Sequence, residues 1–397
     1  MRWLKMQAVM LAAGKGTRTY PLTLEKPKHL LKVANRTIIE HNLEQLKGLA
    51  DEILIVVGKE KFTEKLLGNN YKGIRIRYLI QEKPEGNGQA LMIAERFIKD
   101  RFIAMVADDL YSGSDIKKCL KHRYCVLVKE VDDLSRFGEV SHKGSLVTGF
   151  MEKPGRKKGL ANTGLQVYDR KIFSHRLMKS KRGEFEIVDY ITYLIEKGEK
   201  VHYEKIADYW FPITYPWSLL EANEFLLSKI KKAVGGEVEK YAVLKGPVVV
   251  GKGTIIKSGS YIEGPVIIGE NCSIGPNCYI RAHSSIGNSC KIGNAVEVKN
   301  TIVGDRTSIG HLSYAGDSVI GDDVNFGAGT IIANLRHDGE NISSPVKGEM
   351  TNTGRKKFGA VIGDGAKLGI KTIIYPGRKI WPEKTTLPGE IVKRDVQ

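Results

Sequence analysis

No stretch of this sequence is apolar for anything near the length of a membrane span, so its hydropathy does not call for a lipid environment. Cysteine is scarce: five residues, an odd number with no Cys-x-x-Cys pair, which argues against a disulfide framework. Neither a complete GxxxxGK[ST] phosphate loop nor a full GxGxxG dinucleotide fingerprint occurs. Motifs of RNA- or DNA-binding modules are absent as well, and the basic residues are dispersed. The net charge of +17 therefore reads as suited to small anions such as nucleotides, sugar phosphates and coenzyme A, with no nucleic-acid or membrane partner. Met1 to Lys5 is basic and is followed by apolar residues, in imitation of a signal peptide, but the apolar part is short and runs into a glycine turn. A cytoplasmic protein is expected.

At 397 residues the chain is too long for one ordinary core, and the pattern changes partway along it. From Leu244 an apolar residue recurs every sixth position through Val250, Ile256, Ile262, Ile268, Ile274, Ile280, Ile286, Ile292 and Val298. Glycine often follows, as at Gly251, Gly269 and Gly287, where the chain is expected to turn a corner. After a one-residue slip the pattern resumes at Val303 and Ile309, and again from Ile362 to Ile380. This is a hexapeptide repeat, and chains that carry it resemble one another in forming a left-handed triangular prism of short parallel strands with coils about 4.8 Å apart. Cys272, Cys278 and Cys290 share one phase of the repeat and read as small core-filling side chains in preference to a metal site. The segment 334–359 breaks the period and is expected to protrude as a loop able to close on a neighbour or a ligand.

Upstream, strands alternate with helices. Gln7 to Ala13, Glu52 to Val57, Ile74 to Ile80 and Phe102 to Ala107 read as strands, and Thr37 to Leu46 and Gln89 to Ile98 as helices. The expected fold is an α/β doubly wound nucleotidyltransferase domain (residues 1–230) followed by a left-handed parallel β-helix of hexapeptide repeats (residues 240–397). A helix at Pro216 to Lys232 leads into the prism. Ligands are expected at the carboxyl ends of the parallel strands.

At the end of the first strand comes Gly14-Lys15-Gly16-Thr17-Arg18, then Pro21-Leu22-Thr23 and Lys26-Pro27-Lys28. Glycine at such a turn lets backbone N–H groups approach phosphate oxygens, and the three cations Lys15, Arg18 and Lys28 complement a triphosphate. The whole string resembles the signature of the sugar-1-phosphate nucleotidylyltransferases. That resemblance implies a nucleotide site at Leu11, Ala12, Ala13, Gly14, Gly16 and Thr17, with Arg18 and Lys28 holding the phosphates during catalysis. It places Gln81 and Gly86 against the base, which suits UTP or dTTP alike, and makes Asp108 the ligand for Mg²⁺. Asp109 reads as structural. Gly138, Glu152, Lys153 and Asn162 match the segments that contact the sugar and its phosphate.

One departure stands out. Relatives carry Trp-x-Asp-Ile-Gly before Pro-Trp, with the aspartate, or an asparagine, at the metal; here the run is Trp210-Phe211-Pro212-Ile213-Thr214-Tyr215-Pro216-Trp217. Proline has no side-chain ligand, and Asp208 is displaced by two residues, about 7 Å along a strand.

Within the prism, His311-Leu312-Ser313-Tyr314, then Gly316-Asp317 and Val324-Asn325-Phe326-Gly327-Ala328-Gly329-Thr330, exceed a generic hexad. They resemble the acetyltransferase domain of bifunctional uridylyltransferase/glucosamine-1-phosphate acetyltransferases, archaeal two-domain forms above all. The resemblance implies His311 as the base that takes the amine proton, an imidazole ordinarily titrating near neutrality. It implies Tyr314, Asn325 and Asn334 as positioning groups, Arg281 and Lys299 on the sugar phosphate, and Ala328 and Arg394 on acetyl-CoA. Prisms of this kind commonly form homotrimers.

The leading expectation is an enzyme that N-acetylates glucosamine or galactosamine 1-phosphate and then transfers a nucleotide to the product, with UDP-N-acetylglucosamine or a relative as outcome. The alternative keeps the acetyltransferase and treats the first domain as degenerate, regulatory or weakly active, as Pro212 permits. A non-enzymatic assembly subunit is disfavoured by the His311–Tyr314 motif.

Overall fold

The computed structural model describes residues 6–152 and 158–397, with no side-chain description at Glu152. The basic start Met1 to Lys5 and the expected sugar-phosphate ligand Lys153 lie outside the described residues. The chain forms two compact units: residues 1–15 with 38–212, and residues 16–37 with 213–397. The segment after the first strand thus belongs with the prism, and the division does not follow a single cut in the chain.

The first unit is built on a ten-stranded mixed sheet. Its parallel core runs Arg101–Val106, Gln7–Leu11, Glu52–Val57, Ile74–Ile80 from neighbour to neighbour. In chain order these are the fourth, first, second and third of the group, so the direction of winding reverses between Gln7–Leu11 and Arg101–Val106. That gap is the topological switch point, where an open α/β sheet leaves a crevice at its strand ends. Gln7–Leu11 and Glu52–Val57 are buried at every position because parallel neighbours flank them and helices cover their faces. Ile74–Ile80 alternates in burial over most of its length, with Ile74 and Ile76 inward and Arg75 and Arg77 outward.

Several expected boundaries shift for local reasons. The first strand ends at Leu11 and the fourth at Val106, short of Ala13 and Ala107, because the chain leaves the ladder to form the loops at the switch point. The first helix is Ile38–Leu46, since Thr37 is taken by a small hairpin with Lys32. The second is Asn87–Ala94, earlier than expected at its start and tightening into a 3₁₀ turn over Glu95–Phe97. The helix expected over Pro216 to Lys232 is confined to Ser218–Ser228.

The second unit carries three ladders of eight, seven and eight short parallel strands, the faces of a parallel β-helix consistent with the left-handed form. Its first coil begins with Ala233–Val234 on Val249–Val250, ahead of residue 240, where exposed residues hide the period. Coils then stack eighteen residues apart, as in Ser273 on Lys291, and seventeen apart after Ser285 meets Ile302, which is the slip seen in the sequence. The apolar residues of the repeat point inward and form one continuous core.

Corner glycines serve a purpose other than a special dihedral. Gly251, Gly269 and Gly287 have ordinary φ values; a Cβ at Gly287 would lie 2.6 Å from Asp305 Oδ1, so glycine leaves room for the next coil. The left-handed corner positions are instead taken by residues such as Asn271, Arg306 and Leu312. Cys272 and Cys290 fill the core and donate to Gly287 O at 3.1 Å and Gly304 O at 3.0 Å, in the column where Thr254 and Thr307 do the same for Gly269 and Gly321. No group of three or more metal-binding side chains occurs among the described residues. The expected loop at 334–359 contains an antiparallel hairpin, Ser343–Val346 with Glu349–Asn352, whose turn residues Lys347 and Gly348 both have positive φ. Among the described residues no helix is long and apolar enough to cross a membrane.

Candidate active sites

In the first unit the strand ends gather the expected nucleotide residues. Ala12 N donates to Val56 O at 2.8 Å, Ala107 N to Leu11 O at 3.0 Å and Gln81 N to Val57 O at 2.8 Å, so the three loops leave the sheet together. Continuing the register brings Gln81, Ala13 and Asp108 to one level across the switch point. Gly14 does not have a positive φ, and a Cβ there would meet nothing within 4 Å. Protein packing therefore does not require glycine at this position, and the backbone there is open.

Gln81 is buried, and its Nε2 donates to Gly86 O at 3.1 Å and Gln89 Oε1 at 2.6 Å. With both donors engaged, the carboxamide offers its oxygen as an acceptor, the partner required by the N3–H of uracil or thymine. Gly86 caps the helix Asn87–Ala94 with φ +108, and a Cβ there would lie 2.4 Å from Phe185 O. Its glycine is thus required by packing, whatever else it contacts.

Asp108 lies in the turn between Arg101–Val106 and Asp109–Tyr111. Asp109 accepts from Trp210 Nε1 at 3.1 Å and stands opposite Pro212 in the register of Trp210–Pro212, a structural tie between the two short strands. Asp208 accepts from Ser112 Oγ at 2.9 Å, and its own N–H donates to Asp115 Oδ2 at 3.0 Å. It is built into the start of the neighbouring helix and does not substitute for Pro212. Burial, and then the charges of Asp109 and Asp108, push the Tyr111 hydroxyl well above the usual phenol range, so it stays protonated and donates to Thr163 O at 2.7 Å. A divalent cation fits this arrangement only as one held by Asp108 and by the oxygens of a phosphate ligand, a donor set that suits magnesium.

The residues expected to contact the sugar also share a row. Gly138 pairs with Glu152, and because Glu139 faces Ala161 on the other side, the register puts Asn162 beside Gly138. Asn162 sits at a bulge, where its Oδ1 accepts from Gly164 N at 3.0 Å and Gln166 Nε2 at 3.1 Å, leaving its amide nitrogen as the outward donor.

In the second unit, Gly16, Thr17, Arg18 and Lys28 are carried by the segment 16–37. Gly16 is left-handed at φ +60, its carbonyl accepts from Thr19 and Thr23 hydroxyls at 2.6 and 2.7 Å, and a Cβ there would approach Lys28 Cβ to 3.2 Å.

On the prism, His311 is exposed at the end of Ser308–His311, followed by the left-handed corner Leu312. Gly329 N donates to His311 O at 3.2 Å, and the register sets Ala328 beside His311 one coil on. Asn325 shares this ladder but lies opposite Ser308. The adjoining face holds a second group. Asn334 Nδ2 donates to Tyr314 Oη at 3.0 Å and Asp317 Oδ2 at 2.5 Å, while Lys299 Nζ reaches the same Asp317 oxygen at 3.1 Å. Asn300 Nδ2 donates to Asp317 Oδ1 at 2.8 Å and to Glu224 Oε1 at 3.0 Å. Burial, then the Asp317 charge, raises the Tyr314 hydroxyl above the ordinary phenol value. Arg281 stands one coil from Lys299 and donates to Glu297 Oε1 at 2.9 Å. Arg394 is exposed in the last coil. His311 and Tyr314 therefore occupy different faces of one prism.

Asp317 and Glu297 were not singled out as site residues from the sequence. The signal lay in the stacking period, since Asp317 is one coil from both Lys299 and Asn334.

A nucleotidyl transferase family model matches residues 7–229, more than half of the chain, and a model of the GMPPB C-terminal domain matches 262–387. Similar curated proteins span nearly everything: a bifunctional protein GlmU of Methanococcus maripaludis is 41% identical over 99% of this chain and 96% of its own length. A GlmU of Methanocaldococcus jannaschii is 37% identical with the same coverage, and a bifunctional sugar-1-phosphate nucleotidylyltransferase/acetyltransferase of Sulfurisphaera tokodaii is 36% identical over 98% of both. A solved structure described as a glucose-1-phosphate thymidylyltransferase from Bacillus anthracis, with sucrose bound, matches at a TM-score of 0.52 and 32% identity, covering 57% of this chain and 97% of that one. The chain belongs to the nucleotidyl transferase family, in its two-domain branch of bifunctional nucleotidylyltransferase/acetyltransferase enzymes. Similarity at this length supports the bifunctional reading over a degenerate first domain.

Proposed function

We propose that the enzyme acetylates an amino-sugar 1-phosphate on the prism and then transfers a nucleotide to the product in the α/β domain. The observation that carries the second step is the row at the switch point, where the register continues to set Ala13, Gln81 and Asp108 at one level and both Gln81 Nε2 hydrogens are engaged, leaving its oxygen to accept. The sugar phosphate oxygen attacks the α-phosphate of UTP or dTTP and pyrophosphate leaves. Arg18 and Lys28 offset the charge on the phosphates, Gly138, Glu152 and Asn162 orient the sugar, and Lys153 takes its phosphate. Asp108, together with triphosphate oxygens, would hold a divalent cation such as Mg²⁺, which would supply further charge neutralisation.

On the prism, His311 removes a proton from the sugar amine as it attacks the thioester carbonyl of acetyl-CoA, and coenzyme A leaves. Tyr314, Asn325 and Asn334 position the reactants, Lys299 and Arg281 hold the sugar phosphate, and Ala328 and Arg394 contact coenzyme A. The placement of His311 and Tyr314 on different faces supports a homotrimer in which neighbouring prisms complete each site. A cytoplasmic location and a domain boundary near residue 230 complete the reading.

The test is an assay of purified protein with Mg²⁺, UTP or dTTP and N-acetylglucosamine 1-phosphate, following pyrophosphate, alongside glucosamine 1-phosphate with acetyl-CoA, following free thiol. Both products are expected. Thiol without pyrophosphate under any triphosphate rejects the first half, and replacing the sugar by its galacto epimer decides the substrate.

A further inference from the structure

One corner of the prism carries a column of carboxylates. Asp305, Asp322 and Asp364 stack coil on coil, each with one oxygen accepting a backbone N–H from the coil before: Asn288 N to Asp305 at 2.9 Å, Asp305 N to Asp322 at 2.8 Å and Asp322 N to Asp364 at 2.9 Å. Gly287, Gly304 and Gly321 make room for those oxygens; a Cβ at Gly304 would lie 2.4 Å from Asp322 Oδ1. The carboxylates are thereby fixed in orientation, and their other oxygens face the segment 16–37 of the same compact unit.

Lysines of that segment meet the column. Lys26 Nζ lies 3.0 Å from Asp322 Oδ2 and 2.8 Å from Asp364 Oδ2, and Lys32 Nζ 2.5 Å from Asp305 Oδ2. Further bonds hold the same segment: Lys379 Nζ to Tyr20 O at 2.9 Å, Asn35 Nδ2 to Ile286 O at 2.5 Å, and Ala34 N to Asn223 Oδ1 at 2.8 Å. Burial alone would lower the Lys26 pKa, but Asp322 and Asp364 outweigh it and raise the value. Asp322 is lowered despite its burial, chiefly by Lys26. Both groups are therefore charged at neutral pH.

Lys26 is two residues from Lys28, across the extended Pro27, and a Cβ at Gly16 would lie 3.2 Å from the Lys28 Cβ. We propose that Lys26, clamped by Asp322 and Asp364, is a positioning residue for nucleotidyl transfer, through which the prism fixes the segment that carries Arg18 and Lys28. The inference rests on the reading of Arg18 and Lys28 as phosphate-holding groups.

The test compares full-length parent, Lys26→Gln, Lys26→Arg and the double variant Asp322→Asn/Asp364→Asn, measuring pyrophosphate release, acetyl transfer and amide exchange over 16–31. Lys26→Gln is expected to lower kcat for pyrophosphate release at least about 10-fold with KM for the sugar phosphate little changed, to leave acetyl transfer within about twofold, and to speed exchange in the segment. Lys26→Arg should recover most of the activity, and the double variant should match Lys26→Gln. Parental kcat in Lys26→Gln, or equal loss of both activities with a lowered melting temperature, overturns the proposal. A parent that releases no pyrophosphate rejects the reading of the first domain instead; exchange in Lys26→Gln then decides the anchor, and an unchanged rate overturns it.

Discussion

The two units put their polar residues to use in different ways. In the α/β unit the strands Gln7–Leu11 and Glu52–Val57 are buried along their length and the candidate site residues lie in the loops at the strand ends, so Gln81, Ala13 and Asp108 are brought together by topology. In the prism polar side chains are linked from coil to coil by stacking, as in the network of Lys299, Asp317, Asn334 and Tyr314. An end-of-strand site depends on its loops and on the strand order that gathers them. A stacked site depends on the register of successive coils. The first unit gathers few groups at one crevice; the second sets its groups on adjoining faces, His311 on one and Tyr314 on the next.

This contrast can be broken by substitutions that are silent in one unit and severe in the other. The largest effect is expected for His311→Ala, with acetyl transfer down about 10³-fold and pyrophosphate release unchanged in parallel assays. Asp108→Asn should do the reverse, lowering pyrophosphate release about 10²-fold while free thiol is released at the parental rate. Its companion Pro212→Asp, which restores the carboxylate of the signature this sequence resembles, should reduce the magnesium needed for half-maximal rate.

A smaller effect sharpens the contrast. Asp317 is buried and receives Lys299, Asn300 and Asn334, so Asp317→Asn leaves a cation without its counter-charge and should cost about 2 kcal/mol in denaturant unfolding of the second unit. The smallest concerns pH. Lys379 is lowered from 10.5 to about 8 by burial, with Asp395 opposing the shift. Because the unfolded chain holds that proton up to the ordinary lysine range, the second unit should gain stability as pH rises from about 8, by about 1 kcal/mol over the first pH unit. Lys379→Met should remove that slope, as read from unfolding curves at pH 8 and 9.

Much of this arrangement was legible in the sequence. Period six announced the prism and its slip, because each coil has to return one apolar side chain to the axis. The alternation of strands and helices announced the crevice, because parallel strands wound in two directions leave one where the winding reverses. Other features were not legible. Ala233–Val234 begins the prism with exposed residues, so no apolar period marks it. The segment 16–37 has no periodicity, and its place beside the prism is set by Lys26 and Lys32 pairing with carboxylates far along the chain. Asp317 could have been found by looking one coil away from Lys299.

The central claim is that one chain carries two separate sites acting in sequence. Its most direct test starts from glucosamine 1-phosphate, acetyl-CoA, Mg²⁺ and the preferred triphosphate, and measures the nucleotide-sugar formed by Asp108→Asn alone, His311→Ala alone and an equimolar mixture of the two. The account predicts little product from either variant and near-complete conversion by the mixture, the acetylated intermediate passing from one protein to the other. A mixture as inactive as its components would contradict it.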